Sequence, residues 1–222
     1  MARIARVVVP GCPHHVTQRG NRRQQTFFGH DDYAAYRTML AEACRKNGTE
    51  VWAYCLMPNH VHLVLVPHHE DGLRSVLGDT HRRYTRHVNF REGWRGHLWQ
   101  ERFHSFPMDE RYLLSTVRYV ELNPVAAQLC QRPEEWAWSS ARAHIAATDD
   151  VLVSVRPMLE RISDWPTYLS RPTSKSEIDD LRKHTRTGRP LGNPGFNDRL
   201  EQLLSRTLRP QKPGPKTGEY ES

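Results

Sequence analysis

The sequence predicts an α+β protein: a ferredoxin-like (RRM-like) antiparallel sheet with flanking helices, extended by a basic C-terminal tail. Segments that read as strands occur at 14–18, 50–57, 60–67 and 103–107. Two of the intervening stretches carry apolar residues at helical spacing. The resulting order, βαββαβ closed by another helix, is that of the split βαβ sandwich.

Each element has its own signal. HHVTQ (14–18) reads as the first strand, ended by the turn-prone RGNRR. Asp31 and Asp32 can cap a helix whose apolar positions Tyr36, Met39, Leu40 and Ala43 share one side, and Asn47-Gly48 ends it. EVWAYCLM and HVHLVLVP form two strands joined by Pro58-Asn59, a tight hairpin turn. An arginine-rich helix follows over 73–88, then a strand over 103–107, and Asp109 opens a third helix. The expected organisation is a domain over 1–145, a helical or irregular connector over 146–180, and a basic, partly disordered tail over 181–222, with a short helix over 197–207.

Composition narrows the partners. With 222 residues the chain can bury a substantial core. Its 32 Lys and Arg against 25 Asp and Glu give a net charge of +7 and a pI near 9.5, which points to an anionic partner. Nucleic acid leads over membrane, because no apolar stretch approaches the roughly 18 residues of a spanning helix. The opening run of three valines is too short for a secretory signal, so a cytoplasmic protein is expected. Cys12, Cys44, Cys55 and Cys130 form no C-x-x-C pair and read as reduced and structural. Charge gathers in two stretches, +4 over 74–104 and +7 over 182–216. There is no phosphate loop and no H-E-x-x-H helix.

Chemistry concentrates in two motifs. In PNHVHLVLVP (58–67), His60 and His62 alternate with Val61 and Leu63, so both imidazoles leave one face of the strand, about 7 Å apart, and can converge on one ion. Two histidines satisfied by packing beneath a helix are the plainer alternative. In RYLLSTVRYVELNPVAA (111–127), Tyr119 and Asn123 are neighbours one turn apart on a polar helix face, apart from the stripe of Leu113, Val117 and Val120. Here too plainer roles stand beside catalysis: Asn123 can cap a helix that begins at Pro124, and Tyr119 can pack with its hydroxyl at the rim.

Taken together, P-N-H-V-H followed by R-Y-V-E-x-N-P resembles the HUH endonuclease superfamily with a single nucleophilic tyrosine. Within it the chain is most similar to REP-associated tyrosine transposases, relatives of small insertion-sequence transposases that act on single-stranded DNA. PHHVTQRGNRRQ, LWQERFHS and EEWAWSSARAH fit the same resemblance, which covers about residues 5–145. It implies an HUH fold, Tyr119 as nucleophile, His60, His62 and Asn123 as ligands of a divalent metal, Mg2+ or Mn2+, and a 5′-phosphotyrosine intermediate. Imidazole alone would favour zinc. The implied partner is single-stranded or hairpin DNA of the repetitive extragenic palindrome type, bound by a monomer or homodimer at the bacterial nucleoid.

Basic residues supply candidate DNA contacts. Arg82, Arg83 and Arg86 share a helix face, which is otherwise simply solvated. Arg95 and Arg102 interleave with Trp94, Trp99 and Phe103, a composition that can combine phosphate contacts with base stacking, although aromatics are also needed in the core. Arg189 stands in the tail, which either adds DNA affinity, regulates access to the site, or only solubilises. Two other readings remain: a non-catalytic single-stranded nucleic-acid-binding module on a similar sheet, and a zinc-binding protein.

Overall fold

The computed structural model describes residues 4–210. Its core is one four-stranded antiparallel sheet of β1 (His14–Arg19), β2 (Thr49–Met57), β3 (His60–Pro67) and β4 (His104–Pro107), in the spatial order β2-β3-β1-β4. This is the predicted ferredoxin-like arrangement. The connections β1-α1-β2 and β3-α2-β4 use α1 (His30–Lys46) and α2 (Gly72–Glu92). Both crossover helices cover one face, where Val16, Val61, Leu63 and Leu65 join Tyr36, Leu40, Leu77 and Tyr84.

Two helix ends differ from expectation. The first begins after Gly29, and Asp32 sits inside its first turn, 1% exposed, accepting the Phe28 N–H and pairing with Arg91 of α2. A carboxylate expected as a cap thus ties the two crossover helices together. The second runs one turn beyond the predicted end, because Gly93, at φ 65°, supplies the left-handed residue that terminates it.

The opposite face carries α3 (Glu110–Glu121), whose Asp109 cap accepts the Tyr112 N–H as predicted. Its stripe of Leu113, Val117 and Val120 packs on Ala53, Cys55, Val64 and Phe106. There follow α4 (Asn123–Ala126), α5 (Ala141–Ile145), α6 (Arg156–Leu159), α7 (Trp165–Ser170), α8 (Lys175–Thr187) and α9 (Pro194–Leu203).

Beyond residue 145 the chain continues in short helices that pack against the sheet domain. Leu152, Val153 and Val155 complete the core under α1, while Met158, Trp165 and Leu181 join the core under α3. The expected boundary at 180 falls inside α8, whose buried Leu181 anchors it despite the surrounding charges. Leu191 bridges Met108 at the free edge of β4, and α9, which starts and ends earlier than the short tail helix predicted over 197–207, packs Phe196 and Leu200 on Val7 and Val9. The stretch 211–222, also assigned to the tail, lies outside the described residues. No described helix is long and apolar enough to cross a membrane.

Candidate active site

The floor of the site is set by strand register. Thr17 of β1 stands opposite His62 and Arg19 opposite His60. Directly opposed residues of an antiparallel pair share a face, so His15, Thr17 and Arg19 flank the two histidines. Val61 and Leu63 point to the other side, beneath α1 and α2, as the alternation predicts.

On this floor, α3 brings Tyr119 over His62. Their rings are perpendicular with centroids 5.6 Å apart, and the His60 and His62 centroids are 4.9 Å apart. One cleft of about 920 Å³ is lined by His60, His62, Tyr119 and Asn123, together with His15 and Arg19. The four residues singled out for nucleophile and metal therefore meet in one place, and all belong to one chain. Asn123 begins α4, which has no side-chain cap, so its carboxamide is not spent on the capping role.

Hydrogen bonding orients both imidazoles. The Asn59 side chain donates through Nδ2 to the Arg23 carbonyl at 3.0 Å, which aims its Oδ1 at His60 Nδ1, 2.6 Å away. That oxygen can only accept, so His60 holds its proton on Nδ1 and keeps the Nε2 lone pair. His62 Nδ1 lies 3.0 Å from Nε2 of His15, whose ring stacks parallel to it at 5.3 Å. If His62 donates in this contact, its own Nε2 is left as a lone pair, while His15 Nδ1 is a buried nitrogen with no partner among the described residues.

Burial keeps these rings neutral near pH 7. Desolvation and then the Arg19 charge push His60 down to about 4. Desolvation, followed by His60, His15 and Arg19, pushes His62 well below its usual range. Two neutral imidazoles with lone pairs and one carboxamide oxygen suit a divalent cation that must leave coordination positions open for phosphate and water. Among the described residues no group of three or more His, Cys, Asp or Glu gathers to hold a metal.

Comparison with known proteins identifies the family. The family model described as "Transposase IS200 like" matches residues 8–123, over half the chain, including His60, His62, Tyr119 and Asn123. The chain belongs to the IS200-like transposase family. This transposase is also 23% identical over 123 residues to a REP-associated tyrosine transposase of Haemophilus influenzae, covering 50% of the present chain and 70% of that protein. A solved REP-associated tyrosine transposase bound to a REP hairpin shares the fold, with a TM-score of 0.58 at 20% identity, over 69% of this chain and 92% of that one.

The predicted DNA-contact residues of the transposase lie elsewhere. Arg82 pairs with Asp79, and Arg83 with Glu42 and Asp79. Arg86, Arg95 and Arg102 line hollows outside the cleft. Arg189 donates to the Leu208 carbonyl, tying α8 to the end of the described chain instead of projecting a free charge. Of the three aromatics interleaved with arginine, Trp99 and Phe103 fill the core at 8% and 7% exposure, and Trp94 stays at the surface.

Sequence reasoning misses His15, Asn59, Arg19 and Arg23, and the α8 residues Arg182 and Arg186 that form a wall of the cleft. Asn59 lies inside the P-N-H-V-H motif, where the sequence marks it only as a turn residue. His15 becomes visible once β1 is paired with β3, and α8 carries no local signal of where it docks.

Proposed function

We propose that this transposase cleaves and rejoins single-stranded DNA through Tyr119, at hairpin-forming sequences of the repetitive extragenic palindrome type. The observation that supports this best is the Tyr119 ring standing over His62 in the same cleft as His60 and Asn123. A phenol, with an ordinary pKa near 10, is a weak nucleophile at neutral pH and needs an activated phosphate. His60, His62 and Asn123 would hold a divalent ion, Mg2+ or Mn2+, which when bound supplies Lewis-acid polarisation of the scissile phosphate.

In the reaction Tyr119 Oη forms a bond to phosphorus as it loses its proton, and the bond from phosphorus to the 3′-oxygen breaks. That oxygen takes up a proton and leaves as a 3′-hydroxyl, with the 5′ side held as phosphotyrosine. The ester keeps the energy of the phosphodiester, so a 3′-hydroxyl can reverse the attack and rejoin DNA without a nucleotide cofactor. Arg19, beside both His60 and Tyr119, is placed to meet phosphate charge, as are Arg23, Arg182 and Arg186 along the cleft. Since one chain supplies nucleophile and ligands, we assign a monomer as the minimal catalytic unit and the nucleoid as its place of action.

The test is incubation with labelled hairpin DNA and Mn2+ or Mg2+, followed by a denaturing gel. A covalent adduct that requires metal and vanishes in Tyr119→Phe and in His60→Ala/His62→Ala supports the reading. Salt-sensitive binding with no adduct for any hairpin in either metal would return the protein to the class of non-catalytic nucleic-acid-binding modules.

A further inference from the structure

The catalytic cleft does not stop at the edge of the sheet. Gln18 and Glu101 line both it and a second groove of about 550 Å³ that passes over Arg102 toward α2. Thr85 and Arg86 of α2 line that groove and also a third hollow, of about 770 Å³, at the C-terminal end of the helix. The three depressions share walls and lead from Tyr119 around the molecule to a patch with unusual surface chemistry.

That patch exposes large aromatic rings beside free positive charge. Phe90 is 92% exposed and Trp94 45%, and both border the third hollow with Arg86 and Arg95. Trp94 is steadied by an edge contact with Phe28 at 5.6 Å, and the Arg91 guanidinium lies 5.7 Å from the Phe28 ring centre. Trp94 N–H also bonds to the Asn89 carbonyl, and the Asn89 side chain holds the Gly96 carbonyl, which fixes the loop that carries the indole. Among the described residues, Arg82 and Arg83 are neutralised by carboxylates, whereas no carboxylate lies within 4 Å of the guanidinium nitrogens of Arg102, Arg86 or Arg95. These three uncompensated charges fall one after another along the path: Arg102 in the groove, Arg86 at the junction, Arg95 in the hollow.

We propose that this path carries single-stranded DNA continuous with the cleaved strand, and that the hollow at the end of α2 is a subsite where an unpaired base stacks on Trp94 and Phe90. A track of positive charge ending in aromatic surfaces matches a polyanion whose bases are flat and apolar. An acidic peptide would use the charge but leave the rings without a flat partner. The proposal rests on the reading of the cleft as a DNA-cleaving site, and its test separates the two.

Full-length protein is titrated, without divalent metal, with hairpin oligonucleotides whose single-stranded extension on either side of the scissile position grows one nucleotide at a time. Wild type is expected to gain about tenfold in affinity once the extension reaches the hollow, the scale of one stacked base. Phe90→Ala/Trp94→Ala removes that step and leaves affinity for the shortest oligonucleotide unchanged, Trp94→Phe retains most of it, and 2-aminopurine at the responsible position is quenched only by proteins that show the step. Phe90 is almost wholly solvated, so Phe90→Ala alone tests the subsite with the fold intact. An equal gain with length in wild type and variants, or an equal loss on every oligonucleotide, overturns the proposal. Adduct formation on the shortest substrate is read separately. Adduct without a length step sinks the subsite alone, and a length step without adduct in any metal sinks the phosphotyrosine reading alone.

Discussion

At the scale of single residues, the proposed site depends on groups whose role is to orient other side chains. Asn59 is the clearest: its carboxamide is fixed by the Arg23 carbonyl and in turn fixes the tautomer of His60. If His60 is a metal ligand as proposed, removing such an outer partner typically lowers affinity about 10- to 100-fold. Asn59→Ala is therefore expected to weaken Mn2+ binding, measured by titration calorimetry, by that factor, with an unchanged circular dichroism spectrum. Asn59→Asp keeps the acceptor toward His60 but loses the donor to the Arg23 carbonyl, so its loss should be smaller than that of Asn59→Ala, and equal losses in both variants would show that the acceptor toward His60 is not what matters. His15 supports a parallel expectation. His15→Phe retains the ring but removes the nitrogen facing His62, and should lower metal affinity about tenfold. The shared face of His60 and His62 is legible from two-residue alternation and the adjacency of Tyr119 and Asn123 from helical spacing, while their roles come from the family resemblance. Their partners are not legible, because Asn59 acts through a carbonyl on a separate turn and His15 through a neighbouring strand.

At the scale of elements, Tyr119 and Asn123 are aimed by the C-terminal end of α3, and that end is anchored by Glu121. Glu121 is fully buried, with Oε1 accepting from Ser140 at 2.5 Å and sitting 2.6 Å from His144 Nδ1, while Oε2 accepts from the Trp165 indole at 2.8 Å. One carboxylate thus joins α3 to α5 and α7. Leaving a buried donor unpaired costs about 1–3 kcal/mol, and Glu121→Ala strands three of them, so it should lose at least about 3 kcal/mol in urea denaturation. A loss under about 1 kcal/mol would mean that the network contributes little. Gly20 plays the matching part at the end of β1. Its N–H bonds to the Asn59 carbonyl at 2.8 Å, and an added Cβ would come within 2.6 Å of the Thr26 methyl and collide with the Gln24 carbonyl. Gly20→Ala is expected to cost about 1–3 kcal/mol, the scale of overpacking, and to weaken metal binding by displacing the Pro58-Asn59 turn. The strands and crossover helices are readable because each carries its own period. The segment after residue 145 escapes such reading because it has short helices, many charges and only isolated anchors such as Trp165 and Leu181, whose burial depends on surfaces made elsewhere in the chain.

At the scale of the whole molecule, protonation connects the neutral histidines of the sheet to global stability. His14 is the cleanest reporter, since it is fully buried and outside the cleft constellation. Its Nε2 accepts the Val9 N–H at 3.1 Å and its Nδ1–H donates to the Cys12 carbonyl at 2.7 Å, holding the N-terminal segment against the sheet. Both nitrogens are used by the neutral ring, and burial pushes its pKa from 6.5 down to about 4, with the Cys12 hydrogen bond opposing part of that fall. Between those values the unfolded chain binds a proton that the folded chain does not, so stability rises with pH across this window and is lost as pH falls from about 6.5 toward about 4. Each tenfold drop in proton affinity on folding is worth about 1.4 kcal/mol, so His14 alone accounts for roughly 3 kcal/mol. Urea midpoints should accordingly drop steadily between about pH 7 and about pH 4.5, and the slope should shrink in His14→Gln, which cannot take up the proton when unfolded. An acid limb of the same steepness in that variant would assign the effect to other groups, and a flat profile in wild type would mean that the interior admits the charged ring without cost.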